Sequence, residues 1–317
     1  MLHAIPFHAV DPRVQPFFAE GSKVAYDRLP TDRERRLPSR PEAGRSIAVQ
    51  GADGGEIRVR IASSRESFAQ AFRMIAGSYQ ARGYESPSPR PYRFTPYHVL
   101  PGTITVVAER EGRVVATMSQ VPDTSLLGLP MERIYGWEID QLRSQGLRLA
   151  EITSLADRDL SHREFLRVFG AMSRLTCQHH HREGGDSWVI TVHPRHRDYY
   201  RKVLGFISIG APRSYPSVRH HPAEGFLVDE DLMRANAPRK HREIFGEPLP
   251  DEVLDAPPRE AGHVPYFAGR STQADPEALL RIGREVGSSG APPRWQEWAE
   301  PGPTPANREH RAAPCGS

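Results

Sequence analysis

Between residues 56 and 230 strand and helix signals follow one another with only short breaks, and on both sides of that stretch proline and charge displace them. Such a chain is expected to fold as one α/β domain with two polar arms, because only the central stretch repeats apolar positions at a structural period. The 30 prolines and 26 glycines among 317 residues fit that division, leaving too little apolar material for a core running end to end. The expected organisation is an irregular N-terminal arm over 1–55, a domain over 56–230, and a Pro- and charge-rich extension over 231–317. That extension is mostly irregular apart from a short helix near 275–286, where Asp275-Pro276-Glu277 precedes Leu279, Leu280, Ile282 and Val286.

Within the domain, Ile57, Val59 and Ile61 alternate with Arg58 and Arg60, the period of a half-buried strand. Ser64 then caps a helix that carries Phe68, Ala71, Phe72, Ile75 and Tyr79 on one face, with Gly83 ending it. Residues 103–109 and 114–121 are rich in β-branched side chains and flank Glu111-Gly112-Arg113, so they pair as a hairpin. A Pro/Gly-bearing loop and a short helix near 138–144 lead to a strand over 149–156. A longer helix over 161–180 turns Phe165, Phe169, Met172 and Leu175 inward. The apolar run 187–192 has the length of a central strand, and His193-Pro194 breaks it. A helix over 196–203, a strand at 206–209 and a last strand at 225–228 complete the domain.

Forty-two basic and 39 acidic side chains leave a net charge of +3, which gives a nucleic-acid partner little support. Two cysteines, Cys177 and Cys315, make no disulfide framework and suit a reducing cytoplasm. No apolar run approaches the length of a membrane span.

The order of hairpin followed by strand-helix-strand-helix units is similar to the GNAT superfamily, and residues 190–206, ITVHPRHRDYYRKVLGF, resemble its strand-to-tyrosine-helix segment. A more specific resemblance is to the FeeM-like N-acyl amino acid synthases. It is carried by 93–101 (RFTPYHVLP), by Val121-Pro122-Asp123 with 127–131 (LGLPM), by Leu149-Ala150-Glu151-Ile152 and by His193-Pro194-Arg195-His196. The resemblance implies a GNAT-like fold with a mixed, splayed central sheet and helices on both faces. It also implies an acyltransferase that moves a long acyl chain from an acyl-carrier-protein thioester to the α-amine of an amino acid. Coenzyme A-dependent transfer to another amine, and a non-catalytic binding module, are the alternatives.

GNAT acetyltransferases resemble one another in a glycine-rich turn that cradles the coenzyme A pyrophosphate; here the matching junction, residues 156–163, has no glycine. Carrier-bound phosphopantetheine needs no such cradle, and Arg158 and Arg163 are candidates for its single phosphate or for an acidic carrier surface. Glu151 alternates with apolar neighbours along its strand, so burial would raise its pKa toward that of a base for an ammonium. The carbonyl would be polarised by a backbone N–H around Ile152, Thr153 and Ser154, where the strands are expected to part. From the resemblance, Tyr200 is the general acid for the departing thiolate, and Tyr97 and His98 wall the acyl or acceptor pocket. His193, at a strand end, is a candidate donor-binding residue although other GNAT members commonly carry asparagine there, and Arg93 has the planar fork to clamp an acceptor carboxylate. His179-His180-His181 point in three directions along a helix and Cys177 lacks spaced partners, so no metal and no resident cofactor are expected.

Overall fold

The computed structural model describes residues 45–257 and 262–272, with the single positions 282 and 284; the helix expected near 275–286 otherwise lies outside the described residues. In chain order the regular elements are β1 (Ile47–Gln50), β2 (Glu56–Ile61), α1 (Arg65–Ala81), β3 (Ile104–Arg110), β4 (Arg113–Pro122), α2 (Glu132–Ser144), β5 (Leu149–Asp157) and α3 (His162–Arg182). They continue with β6 (Ser187–Val192), β7 (Ile207–Ser208), β8 (Arg213–Tyr215), β9 (His221–Asp229), α4 (Glu230–Asn236), α5 (Pro238–Phe245), α6 (Asp251–Leu254) and α7 (His263–Ala268). The strands form one sheet in the order β1-β2-β3-β4-β5-β6-β9-β7, with β8 hydrogen-bonded to β9. Its pairs are antiparallel except β5 and β6, which α3 connects as a parallel crossover.

Side chains alternate across this sheet and sort the helices onto two faces. On one face Phe68, Phe72 and Ile75 of α1 bury against Val107, Val114 and Ala156, while Tyr135 and Ile139 of α2 bury against Leu149, Val189 and Leu227. On the other, Val168, Met172 and Leu175 of α3 meet Val59, Val106 and Met118, and Cys177 meets Trp188, Val228, Met233 and Ile244. Each such fully buried aliphatic or aromatic side chain contributes about 1.5–3 kcal/mol, and the periodicity of the sequence is the record of these two faces. Gly225 on β9 lets α2 approach: a Cβ there would stand 3.0 Å from Met131, Tyr135 and Ile209.

Three features depart from the sequence expectation. The sheet starts at β1, inside the segment expected to be irregular, because Val49 tucks under α3 with β2 as its partner. The extension beyond residue 230 supplies α4 to α7, which bury Met233, Ile244, Val253, Leu254 and Phe267 and leave Leu232, Phe245, Val264 and Tyr266 half-buried. Such helices of four to eight residues are too short to show a period. The helix expected over 196–203 is instead a 3-10 turn, Pro194–His196, followed by a π-helical turn, Tyr199–Val203.

Candidate active site

β5 and β6 are paired only from Leu149↔Ser187 to Ile152↔Ile190. Beyond that point β5 continues to Asp157 and β6 to Val192 paired only on their outer sides, to β4 and β9, so the two parallel strands part and leave a gap. A bulge against β4, where Thr117 pairs with Ala156 but Ser119 with Thr153, bends β5 as it leaves β6. Ser154 sits in that bulge with φ 56, a left-handed conformation that a side-chain-bearing residue adopts only when its surroundings impose it.

A cavity of about 440 Å³ passes through the gap, with Ile152, Thr153, Ser154, Leu155, Ile190, Thr191, Val192 and His193 on its two sides. On the α3 face its wall is almost wholly apolar: Phe169, Cys177, Leu204, Phe206, Val228, Met233 and Ile244. On the α1–α2 face it is aromatic and basic, with Tyr79, Tyr97 and Tyr215 beside Arg82, Arg93 and Arg133. One cavity therefore offers a greasy chamber and a polar chamber joined through the sheet.

Glu151 precedes the gap on β5 and points to the polar side, 1% exposed. It is not itself part of the wall, but Val121, which pairs with it, and Tyr97 and Tyr215, which feel its charge, are. Burial pushes its carboxyl up to about 8, with a 2.7 Å hydrogen bond from the Met131 N–H pulling the other way. The loop that delivers this N–H is anchored by Arg143, whose guanidinium forks onto Asp123 at 2.7 Å twice and also bonds Glu132 and Asp140. Glu132 in turn accepts the Leu129 N–H at 2.6 Å. The loop segments 121–123 and 127–131 carried the family resemblance in the sequence, but Arg143 carried no signal of its own, since its pairing with Asp123 spans 20 residues.

Tyr200 lies on the other side of the gap in the π-helical turn, buried among Ile190, Val192, Leu204 and Phe226. Burial drives its phenol well above the usual range, so it holds its proton at neutral pH. His193 borders the gap and caps the following turn by accepting the Arg195 N–H at 3.2 Å on Nδ1; burial and the nearby Arg195 and His221 lower its pKa.

Among the acceptor candidates, Tyr97 and His98 are in the polar wall, but both His98 nitrogens already serve the fold. Nδ1 meets the Thr95 N–H at 3.0 Å, and Nε2 lies 3.4 Å from the Ser119 hydroxyl. Arg93 also reaches the wall, yet it is paired with Glu85 at 2.7 Å and stacked over Tyr79 at 4.2 Å, so its charge is matched from within. Tyr79 of α1 and Arg82, Arg133 and Tyr215, the last three unremarked in the sequence, join it because the end of α1, the start of α2 and β8 meet around the same opening. Tyr215 is fixed there by donating to the Pro130 carbonyl at 2.9 Å.

Arg158 and Arg163, the candidates for a donor phosphate, are not brought to the cavity. Arg158 turns to the Val114 carbonyl at 3.1 Å, and Arg163 is exposed on the first turn of α3. The N-terminus of α3 is filled from within: Glu164 accepts from the Ser161 N–H and hydroxyl at 2.9 and 2.7 Å, from the Ala52 N–H at 2.9 Å, and from Arg110. These donors hold its carboxyl down at about 2. Among the described residues no group of three or more His, Cys, Asp or Glu is placed to hold a metal ion, and no helix is long and apolar enough to cross a membrane.

A family model described as the N-acyl amino acid synthase FeeM matches residues 70–229, half of the chain. No curated protein matches it. Among solved structures, FeeM, an N-acyl amino acid synthase from uncultured soil microbes, superposes with a TM-score of 0.51 at 24% identity, over 59% of this chain and 96% of that one. The AHL synthase LasI follows at TM-score 0.45 and 11% identity, over 62% and 98%. A polyamine N-acetyltransferase of Drosophila melanogaster gives 0.41 and 17%, over 55% and 99%. The fold is thus the GNAT-like acyltransferase fold.

Proposed function

The chain belongs to the FeeM family of N-acyl amino acid synthases and is an N-acyltransferase; from that premise we propose that it passes a long acyl chain from an acyl-carrier-protein thioester to the α-amine of an amino acid. The observation that carries this reading is the cavity that crosses the sheet, apolar on the α3 side and basic on the α1–α2 side. A fatty chain gains about 0.8 kcal/mol for each methylene it buries, and only the first chamber offers that burial. A zwitterionic acceptor suits the second, where its carboxylate meets the field of Arg82 and Arg133 beside the matched Arg93–Glu85 pair; Arg133 counts most among the three arginines. Arg133 is the most exposed of the three, and among the described residues its side chain makes a long contact, 3.4 Å, to the Ser217 hydroxyl.

Transfer is direct. Glu151, through a water, takes the proton that leaves the ammonium, and the free amine attacks the thioester carbon in the gap. The oxyanion meets a backbone N–H of Ile152, Thr153 or Ser154, where β5 has left its partner. The C–S bond breaks as the amide forms: Tyr200 supplies the proton to the thiolate, and the second proton shed by the attacking nitrogen restores the Tyr200 phenol. Two residues on opposite sides of the gap thus divide base and acid between them. Cys177 is buried among apolar neighbours with its thiol pKa pushed up, which favours chain packing over a covalent relay.

A carrier-protein donor is favoured over coenzyme A by the N-terminus of α3, because the Glu164 carboxylate there takes up the Ser161 N–H and sets a negative charge where a pyrophosphate would have to approach. Arg158 and Arg163 then serve the carrier surface outside the cavity, His193 borders the pantetheine path, and the reaction belongs to the cytoplasm. Intact-mass assay of purified protein with an amino-acid mixture and either acyl-carrier protein or acyl-coenzyme A tests this. Fatty amides of amino acids with the carrier thioester are expected; product only with coenzyme A would move the donor assignment to the alternative.

A further inference from the structure

The greasy chamber has a floor, and the floor is made by the part of the chain that the family model does not cover. α3 runs back from the gap, and Phe169 and Cys177 line the chamber along one stripe, with Ser173 between them. The eight-residue step from Phe169 to Cys177 descends about 12 Å from the level of the gap. At their lower end the chamber meets Val228, then Met233 of α4 and Ile244 of α5. The match to the FeeM family ends at residue 229, one residue before α4 begins.

This floor is held rigidly. Gln178, next to Cys177 on α3, donates to the Ile244 carbonyl at 2.8 Å and the Glu247 carbonyl at 2.9 Å, and accepts the Leu249 N–H at 2.7 Å. Asp229 caps α4 through the Leu232 N–H at 3.0 Å, and Glu230 receives Arg234 at 2.7 Å and faces His241 of α5 at 3.0 Å. Met233 is 2% exposed and Ile244 7%, so both side chains face inward. A packed wall fixed by such bonds ends a chain at a set depth, whereas a loose flap would yield to longer ones.

We propose that α4 and α5 act as the acyl-chain ruler of this enzyme, with Met233 and Ile244 setting the longest chain that fits. The proposal rests on the reading of the α3-face chamber as the acyl site and adds which residues fix its length. Met233→Ala and Ile244→Ala deepen the chamber, and Met233→Trp shortens it.

The test has two readouts on the full-length protein. Calorimetric titration with a homologous series of saturated fatty acids finds the length beyond which affinity stops rising. Competition among carrier-bound acyl groups of the same lengths, read by mass spectrometry of the fatty amides, gives the transfer preference. Both alanine variants are expected to move the break point to longer chains and to change the long-to-short product ratio by about tenfold. Met233→Trp is expected to move both the other way, which a general loss of folding cannot mimic. A shifted binding break point without any amide product would support the ruler and remove the proposed transfer reaction. Unchanged break points in variants whose thermal unfolding matches the parent would overturn the ruler.

Discussion

The two chambers on either side of the gap are built on opposite terms. On the α1–α2 face nearly every polar side chain is already engaged: His98 by Thr95 and Ser119, Arg93 by Glu85, Tyr215 by Pro130 and Glu151 by Met131. On the α3 face Phe169, Leu204, Phe206, Met233 and Ile244 meet through shape alone. A polar site must be pre-organised by bonds from the fold, since a buried unpaired polar group costs about 1–3 kcal/mol, while an apolar site needs only volume. Substitutions should therefore separate: those on one face act on the amine, those on the other on the acyl chain, and those at the gap on both.

The largest effects are expected at the gap. Glu151→Gln should lower kcat by about 10²–10⁴-fold with circular dichroism unchanged. In the parent enzyme kcat/KM should rise with pH through an inflection near 8, the value to which burial lifts this carboxyl, and the inflection should vanish in the variant. The stability sign is opposite. A carboxyl whose folded pKa lies above its usual 4.5 favours the fold below that value, and this is lost as pH rises through about 8. Glu151→Gln should accordingly flatten the fall in denaturation midpoint across that window.

Next comes Tyr200→Phe, expected to reduce kcat by about 10–100-fold in steady-state assay, with a smaller penalty for donors whose thiol leaves readily. Arg143→Met tests whether the polar side depends on its anchor. Breaking a buried pair on one side costs about 3–5 kcal/mol, so a clear loss in urea midpoint is expected together with a displaced pH inflection, because the Met131 N–H would no longer be held on Glu151. The smallest effect expected is that of Arg133→Ala: roughly tenfold in KM for the amino acid, with the acyl preference untouched. A change in acyl preference there would mean that the chambers are not separable.

The same contrast explains what could be read from residues alone. Strands and helices with several buried positions, such as Phe68, Phe72 and Ile75 on α1 or Val168, Met172 and Leu175 on α3, write a period that survives in the sequence. A strand ending at His193 was legible in the residues, and Glu151 as a carboxylate among apolar neighbours, whereas the gap itself was implied only by the family resemblance. What was not legible depends on distant pieces of chain meeting. The polar wall collects Arg82 from the turn after α1, Arg133 from α2 and Tyr215 from β8, each unremarkable in its own segment. The floor of the acyl chamber comes from helices too short to be periodic, and the π-helical turn that presents Tyr200 has no compositional mark. Arg158 and Arg163 show the converse, since nearness in sequence to a donor-binding turn did not bring them to the cavity and leaves them only the outer surface.

The most direct measurement is a crystal structure with a bound N-acyl amino acid. The amide is expected in the gap beside Ile152 and Ile190, with the aliphatic tail running past Phe169 to Met233 and the carboxylate on the side of Tyr97 and Arg133. A tail lying among the tyrosines and arginines, or a ligand confined to one face of the sheet with the gap empty, would contradict a transfer through the parted strands.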